Sequence, residues 1–348
     1  MACPIRECPI LNSSISSIIA TVRNVEEKIA ALENAEDAIV FSSGMAAITS
    51  AVLAFAKKGD TIVALRRLYG MAYRFLRDIL PGLGVNVEFV DETDLYRAHK
   101  NFSNVRLYYF ETPINPTTDC ISIEKTVHSA RKAGALTIMD NTFASPVNQN
   151  PLDLGVDVVV HSATKYIGGH SDIMAGAVAS SRKLTKAVRD MLKAFGGCIN
   201  PSDAYMLDRS LKTLAVRVEQ QNRSAQRIAQ FFLRQKKVLD VCYPGLPSSK
   251  SYKVAKKQMT GFGGMLCIEL DSLASAKKFC DSLELGLNAT SLGGVETLVS
   301  IPVLTSHIKM SPEELKSANV TEGMVRISIG LENTDDLILD FKNALGKI

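Results

Sequence analysis

The chain has 348 residues, a formal net charge of +4, 46% hydrophobic residues, seven cysteines and five histidines. That length can bury a large core and predicts two domains, and no uncharged apolar run reaches membrane-spanning length. Basic pairs such as Lys57-Lys58 and Lys236-Lys237 are scattered rather than gathered in a stripe, and the cysteines and histidines show no zinc spacing, so neither a nucleic-acid partner nor a metal site is expected.

Residues 1–20 lack a clear period and read as an arm; their start has no basic–apolar signal pattern, so a cytoplasmic protein is expected. Thr21 can cap a helix with Val22, Val25, Ile29 and Leu32 at helical spacing. A strand follows at Ala38–Phe41, then Ser42-Ser43-Gly44-Met45, a small-residue turn opening a helix. Such a turn offers free backbone amides to a phosphate, or is an ordinary β-to-α connection. Strands at 61–65, 85–90, 105–110 and 136–139 alternate with helices at 72–80 and 123–133. This alternation predicts a mainly parallel, doubly wound α/β sheet with ligands at the strands' carboxyl ends. A helical tract spans about 201–237, and Tyr243-Pro-Gly-Leu-Pro247 marks a junction. Beyond it, strands at 264–270 and within 323–331, with helices at 274–285 and 334–345, form a smaller α+β domain. The expected organisation is an arm (1–20), a large domain (21–240) and a smaller C-terminal domain (241–348).

One stretch gathers the chemistry: His161-Ser-Ala-Thr-Lys-Tyr-Ile-Gly-Gly-His170, after the apolar run Val156–Val160. If the stretch is extended, Ser162 and Thr164 project to one side, able to hold a phosphate, and Lys165 to the other. A lysine of lowered pKa forms a Schiff base with a carbonyl. Asp140 ends a strand, where it can cap a turn or keep a pyridine nitrogen protonated. Tyr69 is a core aromatic or a ring-stacking proton donor. Arg326 sits in an apolar strand pattern, so it needs an anion: an internal salt bridge or a substrate carboxylate. Ser291-Leu-Gly-Gly294 is a turn small enough to line a pocket, and Glu111 follows the strand at 105–110.

These motifs resemble the γ-family of pyridoxal-phosphate enzymes of cysteine and methionine metabolism, which includes cystathionine γ-synthase, cystathionine γ-lyase and methionine γ-lyase. The resemblance is carried in order by Ser43-Gly-Met-Ala-Ala, Leu68-Tyr-Gly, Glu111-Thr-Pro-Ile-Asn-Pro116, Met139-Asp-Asn-Thr-Phe143, Asp157 to Gly169, Ser291-Leu-Gly-Gly-Val-Glu and Val325-Arg-Ile-Ser-Ile-Gly. It implies the aspartate-aminotransferase-like fold (fold type I) and pyridoxal 5'-phosphate as cofactor. It further implies that Lys165 bonds the cofactor, Asp140 pairs with its ring nitrogen and Tyr69 stacks on the ring. The amides of Gly44 and Met45, with the Ser162 and Thr164 hydroxyls, would hold the phosphate. Arg326, Ser291, Asn115 and Glu111 would line the substrate site, and Arg74 would meet a distal carboxylate. The implied activity is γ-elimination or γ-replacement on cystathionine or an activated homoserine; a methionine or homocysteine γ-lyase and a weakened regulatory member are the alternatives. A homotetramer with sites at dimer interfaces is implied as well.

The chain departs from the family pattern in two respects. Ser14 and Ser16 stand where a Tyr-x-Arg pair reaches the neighbouring subunit's phosphate, with Arg6 or Arg23 as candidate replacements. Thr290 replaces a glutamate of the cystathionine-handling members, and Met71 stands where methionine γ-lyases carry cysteine.

Overall fold

The computed structural model describes residues 20–306, 308 and 312–348. The arm, with Arg6, Ser14 and Ser16, lies outside the described residues.

Two sheets organise the chain. The first has seven strands, β1 (Asp37–Phe41), β2 (Thr61–Leu65), β3 (Asn86–Val90), β4 (Val105–Glu111), β5 (Leu136–Asp140), β6 (Val158–His161) and β7 (Gly176–Ser180), in the order β1-β7-β6-β5-β4-β2-β3. Neighbours from β6 to β3 are parallel, whereas β7 runs antiparallel to both β6 and β1. Reversing only β7 leaves β1 pointing the same way as β6. The carboxyl ends of six strands therefore share one rim.

Period-two alternation explains why helices cover both faces. Ile39, Phe41 and Val178 join one core with helices α2 (Gly44–Phe55), α3 (Ile123–Ala133) and α4 (Arg182–Phe195). Ala38, Val40, Ala177 and Ala179 join another with α1 (Ala20–Leu32) and α5 (Pro201–Leu211). The second sheet, β10-β11-β12-β9-β8, comprises β8 (Asp240–Cys242), β9 (Met265–Glu269), β10 (Leu287–Asn288), β11 (Leu298–Ser300) and β12 (Met324–Ser328). Helices α6 (Leu214–Phe232), α7 (Leu273–Asp281) and α8 (Thr334–Lys347) cover it through Phe232, Phe279 and Phe341, whose ring centroids lie 5.2–6.4 Å apart. On β12, Val325 and Ile327 enter that core, so Arg326 faces the other way.

Three expectations need correction. The helical tract at 201–237 is two helices, α5 and α6, broken at Lys212-Thr213. The helix expected at 72–80 is an α-turn at Gly70–Arg74 that widens into a π-helical stretch at Phe75–Ile79 and ends in a 3-10 turn at Leu80–Leu83. Residues 163–168 form turns rather than an extended segment. Strands β7, β8, β10 and β11 and helix α4 were not anticipated. Among the described residues, no helix is long and apolar enough to cross a membrane.

Candidate active site

Strand β1 ends at Phe41 and the chain turns directly into α2. Ser43 caps that helix: its backbone is extended and its Oγ accepts from the Ala46 amide at 3.1 Å. The first amides of a helix have no intrahelical partner, so those of Gly44 and Met45 open toward the rim. A Cβ on Gly44 would lie 2.8 Å from Ser162 Cβ and 2.9 Å from its Cα and Oγ. Glycine is what lets the helix start approach the lysine turn.

Lys165 stands in that turn. Its amide donates to the Ser162 carbonyl at 3.1 Å and its carbonyl accepts from Gly169 at 2.7 Å. The Lys165 Nζ donates to Ser291 Oγ at 2.7 Å. Burial, reinforced by the nearby Arg326 charge, pulls the amine down to about 8. Thr164 folds back, accepting from the Ala175 amide at 3.0 Å and donating to its carbonyl at 3.1 Å. The hydroxyl proton of Thr164 is thus committed to its own chain, and only a rotation would turn it to a phosphate.

Arg326 is buried, and burial lowers its pKa. Its Nη2 donates to the Ser291 carbonyl at 2.9 Å and its Nη1 to Asn115 Oδ1 at 3.2 Å. Neither acceptor is a carboxylate, so the guanidinium retains a full charge for an incoming anion. Ser291 holds φ at +86°, a conformation unfavourable for a residue with a Cβ, and its surroundings must enforce it.

On the opposite wall, Asp140 and Glu111 end the neighbouring strands β5 and β4 and are register partners. Asp140 Oδ1 accepts from the Thr142 amide at 2.9 Å, and Thr142 Oγ1 accepts from the Ser162 amide at 2.8 Å. Burial raises the Asp140 pKa, while the Thr142 hydrogen bonds and the His161 charge oppose the rise. Glu111 accepts from the Tyr69 amide at 2.8 Å and the Asn115 amide at 3.1 Å, tying the two together. Burial, then repulsion from Asp140, pushes Glu111 up to about 8. Burial and these two carboxylates raise the Tyr69 phenol as well.

The structure therefore brings Gly44, Ser162, Lys165, Ser291, Arg326, Asn115, Glu111, Tyr69 and Asp140 to one rim. Arg74 stands apart, half exposed, with its Nε 3.8 Å from Asp78. Arg23 is engaged by carboxylates of its own chain, 3.0 Å from Asp37 and 3.1 Å from Glu27. Sequence reasoning overlooked the layer behind the site. Glu33 Oε1 meets His161 Nε2 at 2.5 Å and accepts from Asn141 Nδ2 at 3.0 Å, all three side chains being buried. It also overlooked Arg217 and Gln221 of α6. Their signal was present: both interrupt the apolar stripe Leu214, Val218, Ala225 at helical spacing.

An amine of lowered basicity bonds carbonyl groups readily, and this one sits where α/β sheets receive cofactors. The class is that of lysine-linked cofactor enzymes. The chain belongs to the Cys/Met metabolism PLP-dependent enzyme family, whose model matches residues 17–346. It is 41% identical over 327 residues to cystathionine gamma-synthase 1, chloroplastic, of Arabidopsis thaliana, covering 93% of this chain but 58% of the plant protein. It is also 41% identical over 326 residues to cystathionine beta-lyase MetC of Bacillus subtilis, covering 93% and 83%. The cystathionine gamma synthase of Xanthomonas oryzae pv. oryzae, solved with aminoacrylate and cysteine, superposes with a TM-score of 0.91 at 34% identity, covering 94% and 85%. Pyridoxal phosphate is the family's cofactor, and the residues present fit it. Gly44 keeps an anion cradle open beside Ser162, Lys165 supplies an amine of lowered basicity, and Asp140 is a buried carboxylate held by Thr142.

Proposed function

We propose that this protein is a pyridoxal-phosphate enzyme that eliminates or replaces the Cγ substituent of cystathionine or an activated homoserine. The observation that carries this reading is the convergence of Lys165 Nζ and the carboxylate-free Arg326 guanidinium on one residue, Ser291, at 2.7 and 2.9 Å. An α-amino acid needs an amine-exchanging lysine beside a carboxylate receptor. When bound, the cofactor joins the substrate amine through its carbonyl carbon and accepts the electron pair left at Cα.

The side chains take the following parts. The Gly44 and Met45 amides and the Ser162 hydroxyl hold the phosphate, with Thr164 joining them if its hydroxyl turns from Ala175. Asp140, as an anion, faces the ring nitrogen, and Tyr69 lies against the ring. Arg326 and Asn115 receive the α-carboxylate and orient Cα toward Lys165. A lysine near pKa 8 is partly neutral at physiological pH, so it can carry protons first from Cα and then from Cβ, and loss of the Cβ proton lets the Cγ substituent depart. Tyr69 Oη protonates the departing group. Arg74 meets a distal carboxylate after turning from Asp78. Tyr69 and Met71 are 41% and 45% exposed in the single chain, which supports a second subunit closing the site in a tetramer.

Similarity to the Bacillus subtilis β-lyase, equal to that with the plant synthase, favours one second reading: β-elimination from cystathionine. Both reactions begin with loss of the Cα proton and use the same residues. Incubating cofactor-loaded protein with cystathionine separates them, since γ-elimination yields 2-oxobutyrate and cysteine, whereas β-elimination yields pyruvate and homocysteine. Cystathionine formed from O-succinylhomoserine and cysteine identifies replacement. No turnover of any of these substrates would sink the proposal.

A further inference from the structure

Thr213, the N-cap of helix α6, and Arg217 and Gln221 on the helix follow one another at intervals of four residues, along one face of successive turns. Arg217 is 3% exposed and has no ion-pair partner among the described residues. Its guanidinium donates to main-chain carbonyls instead: Nη1 to Tyr166 at 2.8 Å, and Nη2 to Ile167 at 3.3 Å and Ser210 at 3.1 Å. Nε completes the set on Thr213 Oγ1 at 3.1 Å. Tyr166 and Ile167 are the two residues directly after Lys165. The turn closes around the guanidinium at Gly169, where φ is +68° and any Cβ would overlap the arginine.

One turn along the helix, Gln221 is fully buried and donates from Nε2 to the Gly294 carbonyl at 2.7 Å. Gly294 belongs to the loop that carries Ser291. The two loops touch at Gly293, φ +74°, where a Cβ would stand 2.8 Å from the Tyr166 amide nitrogen. A burial this complete is costly for a cation without a counter-charge. Burial lowers Arg217 to about 10, so it remains protonated at neutral pH. Only a planar fork reaches carbonyls on successive residues together with a third from another segment; a lysine ammonium does not span them.

We propose that Arg217 and Gln221 are positioning residues. Through them one helix face holds the Lys165 turn and the Ser291–Gly294 loop in register, setting the contact between Lys165 Nζ and Ser291 Oγ and the forced backbone of Ser291 on which Arg326 rests. The inference rests on Lys165 being the cofactor-bonding amine. Without the clamp the lysine turn relaxes toward solvent and the amine regains basicity. Without Gln221 the substrate-side loop shifts while the lysine stays in place.

The test uses full-length R217M, R217K and Q221M. Apo-protein is mixed rapidly with pyridoxal phosphate across neutral to alkaline pH, and growth of the visible band is followed. Borohydride reduction and peptide mapping locate the bond, and melting temperatures are recorded alongside. Wild type is expected to capture the cofactor half-maximally near pH 8, where the Lys165 amine loses its proton. R217M is expected to capture it at least ~10-fold more slowly, with the midpoint raised by about one unit, and R217K to recover part of the loss. Q221M is expected to raise KM for the amino acid roughly tenfold while cofactor capture stays within about twofold of wild type. If R217M does not fold, the R217K midpoint decides. A lowered melting temperature with unchanged midpoint, capture rate and KM overturns the proposal and leaves packing alone. Label found away from Lys165 in the wild type overturns the underlying reading instead, whatever the variants do.

Discussion

Gly44→Ala separates two effects of opposite sign. The backbone of Gly44 lies outside the left-handed region and begins α2, so alanine there meets no conformational strain. By propensity alone, the change stabilises the helix by about 0.5–1 kcal/mol. The added Cβ, however, would stand 2.8 Å from Ser162 Cβ and 2.9 Å from its Cα. Comfortable carbon contacts begin near 3.5 Å, so helix and lysine turn must part by ~0.7 Å. Overpacking of this kind costs about 1–3 kcal/mol. The separation also lengthens the contacts that would be shared between the helix-start amides and Ser162 on one phosphate. Losing one charge-assisted contact costs ~1.5–3 kcal/mol, which is ~10- to 100-fold in cofactor affinity. Titrating apo-protein with pyridoxal phosphate by absorbance, beside a thermal melt, measures both. G44A should melt lower and bind at least tenfold more weakly. A variant that melts higher and binds like wild type would refute the close approach and the cradle built on it.

Three further outcomes follow from the same geometry. R326K keeps the charge but loses the fork; KM for the amino acid should rise ~10- to 100-fold, as read by steady-state kinetics, with cofactor content unchanged. Glu111 has a folded pKa raised from 4.5 to about 8, so its favourable contribution is complete below 4.5 and is lost as pH rises through 8. That bounds the effect at ~5 kcal/mol, and E111Q should flatten the decline of denaturant-measured stability across this window; an unchanged slope would show that Glu111 is not held neutral. D140N should still capture the cofactor at Lys165, detectable after borohydride reduction, while turnover falls by at least ~100-fold.

Much of the site could be read from the chain because its groups occupy strand ends. A strand that stops at Asp140 or Glu111 delivers that residue to the rim whatever else the fold does, and alternation along β12 sends Arg326 away from the apolar core. The helix break at Lys212-Thr213 was invisible because no proline or glycine marks it; the turn bonds at Ser210 and Thr213 decide it. Strand β7 was missed for a related reason. Gly176-Ala-Val-Ala-Ser180 lacks bulky alternation since both its faces are buried, with alanines facing α1, where larger side chains would not fit.

The sequence by itself determined the inventory: one lysine after two hydroxyl residues, the acids at the strand ends, the arginine in an apolar strand, and an order of motifs shared with a known family. Tertiary structure decided how these act. The Lys165 amine is weakened because folding buries it near Arg326, and the Thr164 hydroxyl is turned to Ala175 by the curl of the lysine turn. Arg217 and Gln221 read locally as interruptions of a helical stripe. Only packing against two distant loops makes them holders of the site, because a hydrogen bond between segments 50 or more residues apart has no trace in local pattern.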